Sequence, residues 1–186
     1  MRMPRACQSS RTQVFALVFS FVLFCPVSSA QAQWQASMPG ARLIGSGNFT
    51  WFGFTVYTAR LWSPTQRVDF SQPFVLELTY RRDISRDTLV QASLDEMRRV
   101  ADVDAQTLAG WEDDLRLAFP NVKAGQRIAG EYRPGQGGRF YLDGQLRQEI
   151  ADPEFAKAFF AIWLDEDSRS PELRRDLLGL NTENSP

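Results

Sequence analysis

Residues 43–62 read LIGSGNFTWFGFTVYTARLW, a glycine-broken aromatic run in which the fold of the chain is most legible. Gly45 and Gly47 remove side chains where another backbone or a ligand comes close. Around them, Phe49, Trp51, Phe52, Phe54, Val56 and Tyr57 are residues that favour a pleated, buried surface. Two strands joined by a tight turn near residues 50–53, or one long bent strand, both fit this pattern.

Working outward, residues 74–80 alternate apolar and polar side chains around Val75, Glu77 and Thr79, which reads as a strand after the turn at Gln72 and Pro73. Ser85 then suits an N-cap, and Leu89, Ser93, Met97 and Val100 recur at three- and four-residue steps as one buried stripe of a helix ending near Arg98 and Arg99. A second helix is expected over 105–119, with Leu108, Trp111, Leu115 and Phe119 on one face and Pro120 as its stop. Strands follow at 126–132, 139–142 and 145–150, the last two joined at Asp143 and Gly144, a strong short hairpin signal. Asp152 or Pro153 opens a helix through Phe155, Phe159, Ile162 and Trp163, and Ser170 and Pro171 start a short one that ends at Gly179. Strands, a helical pair, more strands and closing helices define an α+β domain, an antiparallel sheet packed on one face by helices.

The ends of the chain read differently. Arg2, Arg5 and Arg11 precede an apolar run over 14–25, and Ala30, Gln31 and Ala32 form a small-x-small cleavage site. Residues 1–32 are therefore expected to be a removed signal peptide, and the rest to be periplasmic or secreted with no stable membrane anchor. Residues 33–40 read as a leader, 41–179 as the domain, and 180–186 as a frayed polar tail.

Both cysteines, Cys7 and Cys25, lie in the segment to be removed, so the exported chain holds together without disulfides. The chain has no histidine at all, which excludes the usual zinc sites, Ser-His-Asp and Cys-His catalysis, and histidine-ligated haem. No metal or cofactor is expected. Removing three arginines from 21 basic residues against 22 acidic ones leaves a mild acidic excess, which argues against nucleic acid as a partner.

Four segments in order carry a family resemblance. Gly45-x-Gly47 leads into Phe54-x-Val56-Tyr57-x-Ala59-x-Leu61; Leu78 to Ser85 reads LTYRRDIS; Phe160 to Leu164 reads FAIWL; and Ser170 to Arg174 reads SPELR before Leu177, Leu178 and Gly179. The chain resembles the chalcone isomerase-like family in its bacterial, exported branch, over roughly residues 41–179. The resemblance implies an open-faced β-sandwich with a ligand cleft between sheet and helices.

It also implies where catalytic groups would stand. In catalytic chalcone isomerases an arginine lies two residues beyond the second glycine; here that position is Phe49. An aromatic ring cannot stabilise a developing oxyanion, an effect often worth about 3–4 kcal/mol. The family's active-site threonine falls near Phe52, its helix tyrosine near Leu89 and its asparagine near Glu96, and none keeps the catalytic type.

Phe49, Phe52 and Phe54 therefore read either as the wall of an apolar cleft or as ordinary core, with Leu89 and Glu96 beside them on the helix. Asp95 and Glu96 read either as a buried base or as solvated helix charges. Glu112, Asp113 and Asp114 are adjacent on a helix and do not converge on a cation, and Asp165, Glu166 and Asp167 read as a charged loop. Arg81 and Arg82 are the anion candidates, with local pairing to Asp83 and Asp87 favoured. The expected function is a noncatalytic exported module that binds a small apolar ligand, a fatty acid or flat aromatic, or serves as an accessory protein. The alternative is an intramolecular lyase with an atypical active site.

Overall fold

A computed structural model describes residues 32–180. The proposed signal segment up to residue 31 and the tail from residue 181 lie outside the described residues. Six strands form one antiparallel sheet in sequence order: β1 (Arg42–Trp51), β2 (Phe54–Ser63), β3 (Phe74–Tyr80), β4 (Arg127–Arg133), β5 (Gly137–Leu142) and β6 (Gln145–Ile150). The helices are α1 (Gln33–Ser37), α2 (Arg86–Val100), α3 (Ala105–Ala118), α4 (Pro153–Leu164) and α5 (Pro171–Leu177). Residues 43–62 are thus two strands, and the bent-strand alternative falls away.

Both tight hairpins use paired left-handed residues, Asp143 (φ 47°) with Gly144 (φ 87°) and Phe52 (φ 47°) with Gly53 (φ 79°). That backbone twist matches the twist of the flanking strands. The long helices begin on side-chain caps: Ser85 accepts from the Thr88 N–H, Asp104 from those of Gln106 and Thr107, and Asp152 from those of Glu154 and Phe155. Each cap satisfies amide donors that the first helical turn leaves without carbonyl partners.

Strand alternation sends Ala59, Leu61, Phe74, Leu76, Leu78, Tyr80, Ile128 and Phe140 to the helical side of the sheet, where they form one core with the helices. The central helix is α4, buried nearly all round through Phe155, Phe159, Phe160, Trp163 and Leu164, and it touches β4, β5, α2 and α5. A helix apolar on every side belongs inside. On α2 the buried stripe is Val90, Leu94 and Met97, one step round from the expected one. Leu89 and Ser93 flank that stripe, half exposed, because α2 packs on α3 and α4 along the Val90 side.

The other face of the sheet is not bare. Residues 33–37, expected as part of a leader, form α1, whose Trp34 is 2% exposed and packs with Met38 against Val75, Ala129, Tyr141 and Trp62. Ser37 Oγ and Tyr141 OH both donate to Glu131 Oε2, at 3.0 and 2.6 Å, so the buried carboxylate is satisfied by hydroxyls. The Gln33 N–H donates to the Gly144 carbonyl at 2.9 Å, fastening α1 to the β5–β6 turn.

The two glycines of the opening motif have a single purpose here. A Cβ on Gly45 would sit 2.0 Å from the Asp176 carbonyl oxygen, and one on Gly47 would sit 2.8 Å from Leu173 Cδ1. Helix α5 therefore lies backbone-close on β1 only because those side chains are missing. Gly45→Ala is expected to destabilise the protein by about 3 kcal/mol, because the obstructing atoms are helix backbone and α5 must lift. Gly110→Ala, on an exposed turn of α3 with open space around it, should instead stabilise by ~0.5–1 kcal/mol. Urea denaturation of the two variants beside the parent checks both signs.

Candidate functional site

A cavity of about 420 Å³ opens between the helical face of strands β1–β5 and helices α2, α4 and α5. Its volume lies within the range of small-molecule sites. Strands β1 and β2 supply Phe49, Trp51, Val56 and Tyr57; β3 supplies Leu76, Leu78 and Tyr80. Helix α2 contributes Leu89, Ala92, Ser93 and Glu96, α4 contributes Phe159, Ile162 and Trp163, and the segment entering α5 contributes Ser168, Arg169 and Ser170. The wall is mostly aromatic and aliphatic, with polar atoms gathered at a few points.

The aromatic side is a stack. The Phe49 ring lies 5.1 Å from Tyr57 and 6.4 Å from Trp51, both near-parallel, and Tyr57 meets Tyr80 edge to face at 5.9 Å. Trp163 Nε1 donates to the Tyr57 hydroxyl at 2.9 Å, which ties α4 to β2 across the cavity. At the rim, Glu96, with a side chain 16% exposed, pairs with Arg169 at 2.6 Å and Arg99 at 2.8 Å. Glu96 is therefore a paired carboxylate joining α2 to the segment before α5, not a solvated helix charge. Asp95 stays open to solvent and pairs with Arg98.

Phe49, Leu89 and Glu96 thus stand on one cavity, whereas Phe52 and Phe54 do not line it. Phe52 is 85% exposed because it occupies the left-handed tip of the β1–β2 turn. Phe54 is 68% exposed, where a bulge between Phe49 and Thr50 re-aims the end of the hairpin. The pairing expected for Arg81 also differs. Arg81 donates to Thr58 Oγ1, Asp87 pairs with Arg116, and Asp83 accepts from the Ala124 N–H. In the acidic run on α3, Glu112 pairs with Arg116, while Trp111 Nε1 donates to Asp152 Oδ2 at 2.8 Å. Among the described residues no group of His, Cys, Asp and Glu has the arrangement of a metal site.

Sequence reasoning missed Tyr57, Tyr80, Trp163 and Arg169 as site residues. For the first two a signal was present, since their places on neighbouring strands put them on the same face. Arg169 carried none, because its partner Glu96 is brought near only by the closing loop.

Comparison with known proteins agrees with this architecture. The chalcone isomerase-like family matches over residues 28–179, and the chain belongs to that family. An uncharacterized protein of Haemophilus influenzae is 27% identical over 142 residues, spanning 76% of this chain and 69% of that one. In fold, the chain is similar to the crystal structure of an Arabidopsis thaliana fatty-acid binding protein, with a TM-score of 0.58 at 11% identity, covering 75% of this chain and 87% of the other.

The chain has four tyrosines, and each phenol is shifted upward. Burial is the leading cause in all four; Tyr141, which also donates to Glu131, is pushed up to about 12. Each folded value lies above the unfolded value of about 10, so this stabilisation is complete below that pH and is lost as pH climbs through the folded values. An alkaline titration followed by tyrosinate absorbance should therefore show the phenols ionising at higher pH in the folded protein than in urea, where they titrate near pH ~10. Identical titration curves for the folded and the urea-unfolded protein would contradict the burial of these side chains.

Proposed function

We propose that this protein is an exported, noncatalytic member of its family that holds a small apolar ligand, a fatty acid or flat aromatic molecule, between its sheet and helices. The observation that carries this reading is the cavity of about 420 Å³ walled by Phe49, Tyr57, Leu78, Leu89 and Trp163. A void of that size in a domain of this length has no packing rationale, since interiors are otherwise filled to crystal density. The similar Arabidopsis thaliana protein is a fatty-acid binding protein, which supports a ligand of that class. Catalysis is disfavoured by Phe49, whose ring stacks on Tyr57 where the catalytic relatives hold a cation.

Protein purified from its native host, extracted with organic solvent and examined by mass spectrometry should release a stoichiometric apolar compound. Ala92→Trp places an indole on an exposed position of the cavity wall, so binding of laurate should fall at least about tenfold with the melting temperature little changed. A parent protein that is empty on extraction and indifferent to laurate and to flavonoids would remove the proposal.

Export rests on the Arg-rich start, the apolar run and the Ala30-Gln31-Ala32 site. N-terminal sequencing of the native protein from the periplasmic fraction should begin near Gln33. Recovery of Met1 would refute export by cleavage.

A further inference from the structure

We propose that Tyr57 and Tyr80 form a hydroxyl clamp inside the cavity that reads an uncharged hydrogen-bond acceptor, the carbonyl of an ester, amide, ketone or protonated acid, on an otherwise apolar ligand. This rests on the ligand-binding reading above and specifies the ligand's polar end. The two residues are direct partners in the β2–β3 register, so both side chains leave the sheet on the helical side, and both line the cavity. Tyr80 is 4% exposed. Among the described residues its hydroxyl has no hydrogen-bond partner, and it is not one of the sealed, unpartnered polar atoms, which are Trp34 Nε1, Trp62 Nε1 and Thr79 Oγ1. It therefore opens onto the cavity rather than being walled off from it.

The Tyr57 hydroxyl is half used. It accepts from Trp163 Nε1 at 2.9 Å, which leaves its own proton to be given elsewhere. Two O–H donors thus face one apolar space, and a buried donor left without an acceptor is the costlier kind of unsatisfied group. Three other hydroxyls on the wall are already engaged: Ser93 Oγ donates to the Leu89 carbonyl, Ser168 Oγ to that of Ile162, and Thr88 Oγ1 shares a hydrogen bond with Ser85 Oγ.

Charge decides which acceptor fits. The charged residues on the wall are Asp95, Glu96 and Arg169. Arg169 is held by Glu96, and Asp95 by Arg98. Glu96 lies close enough to Tyr57 to disfavour a second negative charge there. A carboxylate against the tyrosines would lose its water, face an acid and gain no cation. A neutral carbonyl takes the same two hydrogen bonds without that penalty.

The test is displacement of Nile red from the full-length mature protein at neutral pH by methyl laurate, laurate and dodecane, with Tyr80→Phe and Tyr57→Phe beside the parent. Methyl laurate should bind at least about tenfold tighter than dodecane and than ionised laurate. Tyr80→Phe should erase most of the advantage over dodecane, leave dodecane itself unchanged, and keep or raise the melting temperature, since no protein hydrogen bond is lost. Tyr57→Phe should erase it too, with a lower melting temperature because Trp163 loses its acceptor. If methyl laurate and dodecane bind equally, the clamp is wrong while the apolar cavity stands. If laurate binds tightest and Arg169→Ala abolishes the preference, the polar end sits at the rim and the clamp is again wrong. If the dye and all three compounds fail to bind, the ligand-binding reading falls and the clamp with it.

Discussion

The close seat of helix α5 on strand β1 is the constraint on which the rest of the site depends. Two residues without side chains, Gly45 and Gly47, let the backbone near Asp176 and Leu177 come into contact with the strand. That approach buries Leu173 and Leu177 and fixes the direction from which the chain reaches α5. Arg174 Nε donates to the Leu164 carbonyl, which joins the end of α4 to α5. The segment between those helices then brings Arg169 to Glu96 on α2. Two residues further along β1 the glycines give way to Phe49, and the space that α5 does not cover becomes the cavity.

A protein interior of this size ordinarily closes on itself, and most of this one does. Phe74, Phe140, Phe155, Phe159 and Phe160 interlock through edge-to-face and stacked contacts at 5.1 to 6.5 Å, and the cavity ends against Phe140, Phe159 and Phe160. The void runs from there toward the β1–β2 hairpin, where Leu89, Ala92 and Ser93 on α2 face the Phe49 and Tyr57 rings across a gap. The ion pairs of Glu96 span the rim without filling it. The open space lies between the sheet and its helices, and the polar atoms that reach it are few enough to assign individually.

Much of the scaffold was readable from local chemistry. Strands β3 and β6 follow from period-two alternation and the Asp143–Gly144 turn, and α2 and α4 from Ser85 and Asp152 acting as caps. These features are decided within a few residues of themselves. What escaped reading depends on what lies opposite. Helix α1 is too short to show periodicity, and its helix is fixed by Trp34 finding Trp62 and Ser37 finding Glu131 across the sheet. The phase of α2 was misjudged by one residue because Leu89 and Val90 are both apolar, and only the position of α3 and α4 decides which is covered. Phe52 and Phe54 looked like wall because they are aromatic, yet a turn and a bulge, not composition, direct their rings outward. Of the cavity, Phe49, Leu89 and Glu96 could be placed in advance through the family pattern; Arg169 could not, since ion pairs between distant segments leave no trace in spacing.

The meeting of β1 with α5 joins the first strand of the sheet to the last helix of the domain. Every sheet pairing here is between consecutive strands; most of them close a short loop, whereas β3 meets β4 only across α2 and α3. The glycine groove on β1 has no such local partner. It is covered only by residues 171–177, a partner far along the chain. The β1 end of the cavity is therefore walled only when distant parts of the domain have met, so this region depends on the contact with the greatest sequence separation in the fold's assembly.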